Sequence, residues 1–239
     1  MTVASHLQIR LEEYDERILT FIPGYTAMLD AAVAAVAASA GESPHIVDLG
    51  TGTGALACRC LAPRPAARLT AIDADQDILA LAAARLRDLP TQPTFLHGNF
   101  TTMALPLSDA LVASLALHHI RTAGEKRAFY ARCRAALGPG GILVSADCCP
   151  ASDPSLRAQQ FEAWRAHLRS SYSDSETDGF FAAWADEDFY FPLADEVAML
   201  QDAGFATDIA WRLGPMAVVI GKLEERRTKN EERNAEHGT

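Results

Sequence analysis

Apolar positions along the chain alternate between short unbroken runs and helical spacing. His45-Ile46-Val47-Asp48-Leu49 is short and almost wholly apolar, bounded by Pro44 and Gly50, which predicts a strand buried on both faces. The glycine-rich run Gly50-Thr51-Gly52-Thr53-Gly54 closes it, and Ala55 to Leu61 reads as an apolar helix. Arg68 to Ile72 predicts a second strand that ends at Asp73. From Asp75 to Leu89 the residues Ile78, Leu79, Ala82 and Leu86 share one face of a helix. Thr94 to His97 and Ala110 to Leu115 read as the third and fourth strands. Glu125 to Leu137 reads as a helix stopped by Gly138-Pro139-Gly140-Gly141, and Ile142 to Ala146 as the fifth strand.

The ends of the chain carry a different pattern. Residues 5–40 predict two helices broken at Pro23-Gly24, the second built on the strong helix former Ala27 to Ala38, with a loop at Gly41 to Pro44. Pro150 ends the strand–helix rhythm, and residues 153–190 are rich in aromatics and acids, which predicts helices set above the sheet. Leu193 to Ala203 reads as a helix with a Gly204 stop. Phe205 to Trp211 and Met216 to Ile220 read as strands around Gly214-Pro215, an antiparallel hairpin at one sheet edge. The expected architecture is therefore doubly wound α/β: a seven-stranded, mostly parallel sheet with an antiparallel last strand and a helical cap. The expected division is an N-terminal helical cap (1–40), a cofactor-binding core (41–150), a helical cap insertion (151–192), the end of the core sheet (193–222) and a charged, disordered tail (223–239).

Composition narrows the class. Hydrophobic residues make up 49% and charged residues 22% of the 239, enough for a large core. The alanine-rich stretch Ala31 to Ala40 is too short to span a bilayer. Glu12, Glu13, Asp15 and Glu16 stand where a signal peptide carries basic and apolar residues, so a cytoplasmic location and no membrane partner are expected. A net charge of −10 disfavours a nucleic-acid partner, which needs a positive surface. Cys58, Cys60, Cys133, Cys148 and Cys149 form no CxxC pair and read as buried thiols in a reducing compartment; no metal is expected.

Four motifs carry chemistry. The glycine run lets the backbone turn sharply at a strand tip and approach a ligand; its G-x-G-x-G spacing departs from the dinucleotide G-x-G-x-x-G and lacks the phosphate-loop lysine. Asp73 closes the second strand where a carboxylate accepts ribose hydroxyls, and Asp75, directly before the helix, is the better N-cap, which leaves Asp73 for the ligand. In His97-Gly98-Asn99-Phe100, Asn99 suits the exocyclic amine of adenine and Phe100 its ring, against the alternative of an ordinary turn. Ser114-Leu115-Ala116-Leu117-His118-His119-Ile120 follows the fourth strand, and a histidine there serves either as a general base or as a packing residue.

Together these motifs resemble the class I S-adenosylmethionine-dependent methyltransferases, over about residues 40–221, with their Rossmann-like fold and reversed last strand. The resemblance implies S-adenosyl-L-methionine as cofactor, its amino-acid end held by Asp48, Gly50, Thr51, Gly52 and Gly54, its ribose by Asp73 with Ala74, its adenine by Asn99 and Phe100, and Ser114 with Leu115 forming the wall near the sulfonium. Asp15-Glu16-Arg17, Ile22-Pro23-Gly24-Tyr25 and the region from Phe161 through Tyr172 to Phe205 are similar to the carboxy-S-adenosylmethionine synthase subfamily, which implies that Tyr25 reaches the cofactor. Met199 stands where that subfamily is expected to carry an arginine for the extra carboxylate. A methionine cannot bind a carboxylate, so the ordinary cofactor is implied. The expected function is methyl transfer to a small-molecule acceptor by in-line displacement, with His118, Tyr25, Tyr172 and Arg17 as catalytic candidates and Tyr14, Trp164 and His167 also facing the acceptor. A carboxy-S-adenosylmethionine synthase-like enzyme and a tRNA-modification methyltransferase are the rival readings, and the sequence leaves a homodimer open.

Overall fold

Within a computed structural model that describes residues 10–39 and 41–225, the unbroken apolar runs stack into one seven-stranded sheet in the order β3-β2-β1-β4-β5-β7-β6. Strands β1 (His45–Leu49), β2 (Arg68–Asp73), β3 (Thr94–His97), β4 (Ser108–Ser114) and β5 (Leu137–Cys148) pair in parallel. Strand β7 (Met216–Lys222) inserts antiparallel between β5 and β6 (Ala206–Leu213). Strand order reverses between β1 and β4, so the crevice at their carboxyl ends is where a doubly wound sheet accepts a ligand.

Period-two alternation divides the core between the two faces. Ile46, Ala71, Val112, Val144 and Val218 pack into one buried cluster, while their neighbours Val47, Ile72, Leu111, Leu143 and Val219 pack into a second. The first cluster takes in α1 (Tyr14–Phe21), α2 (Tyr25–Ser39) and α3 (Ala55–Leu61); the second takes in α5 (Ala123–Ala136) and α8 (Leu193–Asp202). Helix α4 (Gln76–Arg85) starts where Asp75 accepts from the Asp77 and Ile78 amides, the cap that the sequence predicts. Capping boxes at Thr122/Glu125 and Ser173/Glu176 start α5 and α7 (Asp174–Trp184), and Asp153 before Pro154 starts α6 (Pro154–Arg169).

Helices α6 and α7 dock on α1 through aromatic rings. Trp164 stacks on Trp184 with centroids 5.4 Å apart, Phe21 meets Phe180 at 5.0 Å, and the buried Trp164 indole donates to the Phe21 carbonyl at 2.7 Å. No single helix among the described residues is long and apolar enough to cross a membrane; α1 and α2 meet at a 99° bend and their apolar faces lie in the core.

The chief differences from the sequence expectation lie at three boundaries. Helix α4 ends at Arg85, because the turns from Leu86 to Leu89 lead into Pro90, and the residue before a proline disfavours helix. Strand β5 begins at Leu137 and runs through Gly138-Pro139-Gly140-Gly141 instead of after it. Gly140, at φ +73°, carries the irregular backbone, and its amide donates to Glu224. Strand β7 runs on to Lys222, two residues past the expected Ile220, and Leu223 packs on the core; residues 1–9, 40 and 226–239, with most of the expected tail, lie outside the described residues.

Candidate functional site

At the reversal point the carboxyl ends of β1, β2 and β4 surround a cavity of about 430 Å³, within the range of a ligand site. Its wall contains Tyr25, Asp48, Gly50, Thr51, Gly52, Asp73, Ala74, Asn99, Phe100, Ser114 and Leu115, so the cofactor residues named from the sequence converge there, apart from Gly54. Gly54 sits behind the wall as the left-handed cap residue of α3. The glycine turn needs its glycines. A Cβ on Gly50, at φ +68°, would lie 2.7 Å from the Ala116 Cβ.

Two carboxylates define the polar end of the cavity. Asp48 is 1% exposed; Thr51 donates to its Oδ2 at 2.7 Å, and Oδ1 has no hydrogen-bond partner among the described residues. Burial pushes its pKa up to about 7, with the Asp73 charge adding to the rise and the Thr51 bond opposing it. Asp73 is not left idle by the Asp75 cap: it accepts from the Gly52 amide at 2.9 Å and from the Asp75 amide at 2.9 Å, and so ties the glycine turn to the tip of β2. Burial raises its pKa despite those two bonds. A carboxylate has about four lone-pair positions, so Asp73 keeps acceptor capacity toward a ligand.

Asn99 differs from its expected role. Its Oδ1 accepts from the Thr101 amide and hydroxyl at 2.8 and 2.7 Å, so that oxygen holds the loop and is not available to an adenine amine. The Phe100 ring is buried against Phe129, with centroids 5.5 Å apart.

A second cavity, about 90 Å³, adjoins the first and shares Tyr14, Leu115 and His119 with it. Its walls are Ile18, Phe21, Ile22, Cys148, Trp164, Trp184 and Tyr190, and its polar side is His118, His119 and Asp188. Leu115 stands between the two cavities at φ +51°, the one non-glycine residue at positive φ among those described. Such strain concentrates at functional sites. Burial pushes the Tyr25 phenol up to about 12 and, with the nearby Tyr25 and Asp73, holds the Tyr14 phenol far above its ordinary value; both remain neutral.

The catalytic candidates separate. Tyr25 lines the first cavity and His118 the second, while Arg17 and Tyr172 line neither; they bond each other at 3.1 Å beside Phe21. Trp164 lines the second cavity, and His167 lines neither. Met199 is 1% exposed in the core cluster under α8 and lines neither cavity. His118 is no ready base. Its Nδ1 lies 2.5 Å from Asp147 Oδ1 and its Nε2 3.5 Å from Asp188 Oδ1. Burial pulls its pKa down, but the two carboxylates outweigh burial and raise it. Burial alone would raise the Asp147 carboxyl as well, yet His118 and the Lys126 charge hold it at about 2.

Sequence reasoning missed Asp147 and Asp188. Asp147 follows directly on the predicted fifth strand, at the sheet end where ligand loops lie, and that position was a usable signal. Asp188 had none, since only the return of the chain after α7 brings it to the histidines.

Residues 46–141 match the family model described as a methyltransferase domain. Over 122 residues the chain is 34% identical to an uncharacterised methyltransferase of Mycobacterium tuberculosis, covering 50% of this chain and 55% of that protein. It is 31% identical over 158 residues to a release factor glutamine methyltransferase of Deinococcus radiodurans, covering 56% of each. The chain thus spans little more than half the length of these relatives. In fold it is similar to human N-acetylserotonin methyltransferase solved in complex with S-adenosylmethionine, at TM-score 0.58 and 18% identity over 84% of this chain and 52% of that one. Residues 46–141 thus match a methyltransferase domain, and the doubly wound sheet with its reversed last strand is shared in fold with methyltransferases solved with bound S-adenosylmethionine.

Proposed function

We propose that the chain transfers a methyl group from S-adenosylmethionine to a small-molecule acceptor with an apolar or planar body. The observation that carries this reading is the pair of adjoining cavities, one polar and lined by the glycine turn, the other small and walled by aromatic rings, divided by Leu115. The residues present fit the cofactor: the unpartnered Asp48 Oδ1 suits its ammonium, Asp73 its ribose hydroxyls, and Phe100 its adenine face. When bound, the cofactor supplies an electrophilic methyl on a sulfonium whose departure leaves a neutral thioether. The chain's own contribution is alignment and the exclusion of water, which together supply on the order of 7–11 kcal/mol without an acid or base. Tyr14, Tyr25 and Leu115 shape the passage between the cavities, and the rings of α1, α6 and α7 cover the acceptor side.

The Deinococcus relative supports a second reading, in which the acceptor is the side chain of a protein glutamine entering the smaller cavity. Incubation with the methyl-labelled cofactor, separating label on protein from label on small molecules, distinguishes the two. Mass spectrometry of the co-purifying ligand is expected to show the ordinary cofactor; the carboxylated form would favour the synthase reading. The primary test is calorimetry of S-adenosylhomocysteine binding. Asp73→Ala is expected to weaken affinity tenfold or more, about 1.4 kcal/mol, because the ribose loses its acceptor and the Gly52 amide its anchor. Unchanged affinity in the variant would refute the ribose role.

A further inference from the structure

His118, His119 and Asp188 bring His118 Nε2 or Nδ1, His119 Nδ1 or Nε2, and a carboxylate oxygen within 4.8 Å of one another. All three side chains line the smaller cavity, and His119 lines the larger one too. From Asp188 Oδ1, His118 Nε2 stands 3.5 Å away and His119 Nδ1 3.4 Å. These separations are long for hydrogen bonds but match a tetrahedral metal, whose ligand atoms at about 2.0–2.2 Å from the ion stand roughly 3.3–3.5 Å apart.

The surroundings match as well. A metal-binding histidine characteristically gives its other ring nitrogen to a carboxylate, which fixes the tautomer and aims the ligating atom. His118 does so: Nδ1 faces Asp147 Oδ1 at 2.5 Å, and Asp147 is itself fixed by the Leu117, His118 and Cys148 amides. Asp188 is oriented by the Tyr190 hydroxyl on its other oxygen at 2.5 Å. The Phe189 amide bonds the His118 carbonyl at 2.8 Å, so the two segments that supply the three groups are stitched together by backbone. His119 Nδ1 donates to the Glu187 carbonyl at 3.3 Å, a bond that a cation on that nitrogen replaces.

We propose that His118 Nε2, His119 Nδ1 and Asp188 Oδ1 form a binding site for a divalent cation of the zinc class, open on the side of the two cavities. The donor set, two imidazoles and one carboxylate, is the one borderline cations prefer, and three protein ligands leave a position for an outside ligand. Given the methyl-transfer reading, that position faces the acceptor cavity and suits an acceptor bearing an oxygen, whose hydroxyl the cation would make acidic. The site itself does not depend on that reading.

The test uses the full chain, stripped with a chelator and titrated with zinc against a chromophoric competitor, and in parallel with cobalt(II) followed by its visible absorption. Expected are one cation per chain with micromolar or tighter affinity and an intense tetrahedral-type cobalt spectrum. His119→Ala and Asp188→Asn are each expected to weaken binding at least tenfold and to alter the cobalt spectrum, while Cys58→Ser changes neither. The His119 side chain is 43% exposed, so its removal does not threaten the fold. Failure of the unmodified chain to bind zinc at micromolar concentration, or binding by both variants as tight as the parent, overturns the proposal. Calorimetry of S-adenosylhomocysteine on the same stripped sample keeps the two readings apart, since nucleoside binding without metal binding removes only the metal site.

Discussion

Asp48 is held in an unfavourable state by the fold itself. Its folded pKa of about 7 lies above the ordinary carboxyl value, so between about pH 4 and 7 the folded chain keeps a proton that the unfolded chain has lost. By linkage, its contribution to stability falls as pH rises through that window and is flat above it, a loss on the order of 4 kcal/mol at most. Asp48→Asn keeps an oxygen for Thr51 and removes the charge. The variant without ligand is expected to be more stable than the parent by about 2–4 kcal/mol above pH 7 and equal to it near pH 4, as read by denaturant unfolding at both values, while it binds the cofactor worse. Equal stability at pH 7.5 would show that Asp48 is not desolvated. The residue was legible in the sequence as the last polar position of an apolar strand before a glycine turn. Its orphan oxygen was not, because that depends on which partners the turn brings near. The Asn99 oxygen shows the converse: its residue type suited adenine, but its own loop claims it.

Helix α1 is held over the larger cavity by a contact among three residues far apart in sequence. Asp15 accepts from Thr53 at 2.7 Å and pairs with Arg85, and Arg85 also donates to Thr53 at 2.9 Å, which ties α1 to the start of α3 and the end of α4 and sets Tyr14 over both cavities. Half-exposed ion pairs contribute under about 1 kcal/mol to stability. Asp15→Ala is therefore expected to leave the unfolding midpoint nearly unchanged while speeding release of S-adenosylhomocysteine about threefold or more in stopped flow; unaltered release would show that α1 is no latch. The tie of α1 to α6 is different in kind. Trp164→Phe keeps the ring stack and strands the buried Phe21 carbonyl, a loss of about 1–3 kcal/mol measurable by urea unfolding. Element positions were largely legible, since strand runs, Asp75 and the Gly204 stop are local signals. The start of β5 was not, because a glycine–proline run normally ends structure, and only the pairing of Leu137 with Ser108 and the backbone bonds of Gly140 and Gly141 to Glu224 and Leu223 hold the run beside the sheet.

At the scale of the whole molecule, the sheet order makes a crevice at the reversal point, and two buried acidic side chains from neighbouring strands line it. An ammonium placed beside Asp48 needs the carboxylate ionised. Below its pKa of about 7 the chain without ligand holds a proton there, and binding must expel it. Affinity for S-adenosylhomocysteine is thus expected to fall as pH drops below about 7, approaching tenfold per pH unit until the lowered pKa of the complex is reached. At higher pH the ligand's own ammonium loses its charge, and affinity falls again. Calorimetry in buffers of different ionisation heat is expected to give an affinity maximum above about pH 7, with one proton released near pH 6. Asp48→Asn is expected to abolish both the acid limb and the proton release while leaving the alkaline limb in place. An acid limb that survives the substitution would move the coupling to Asp73, the other buried carboxyl of the cavity, and Asp48 would then be a structural residue of the turn.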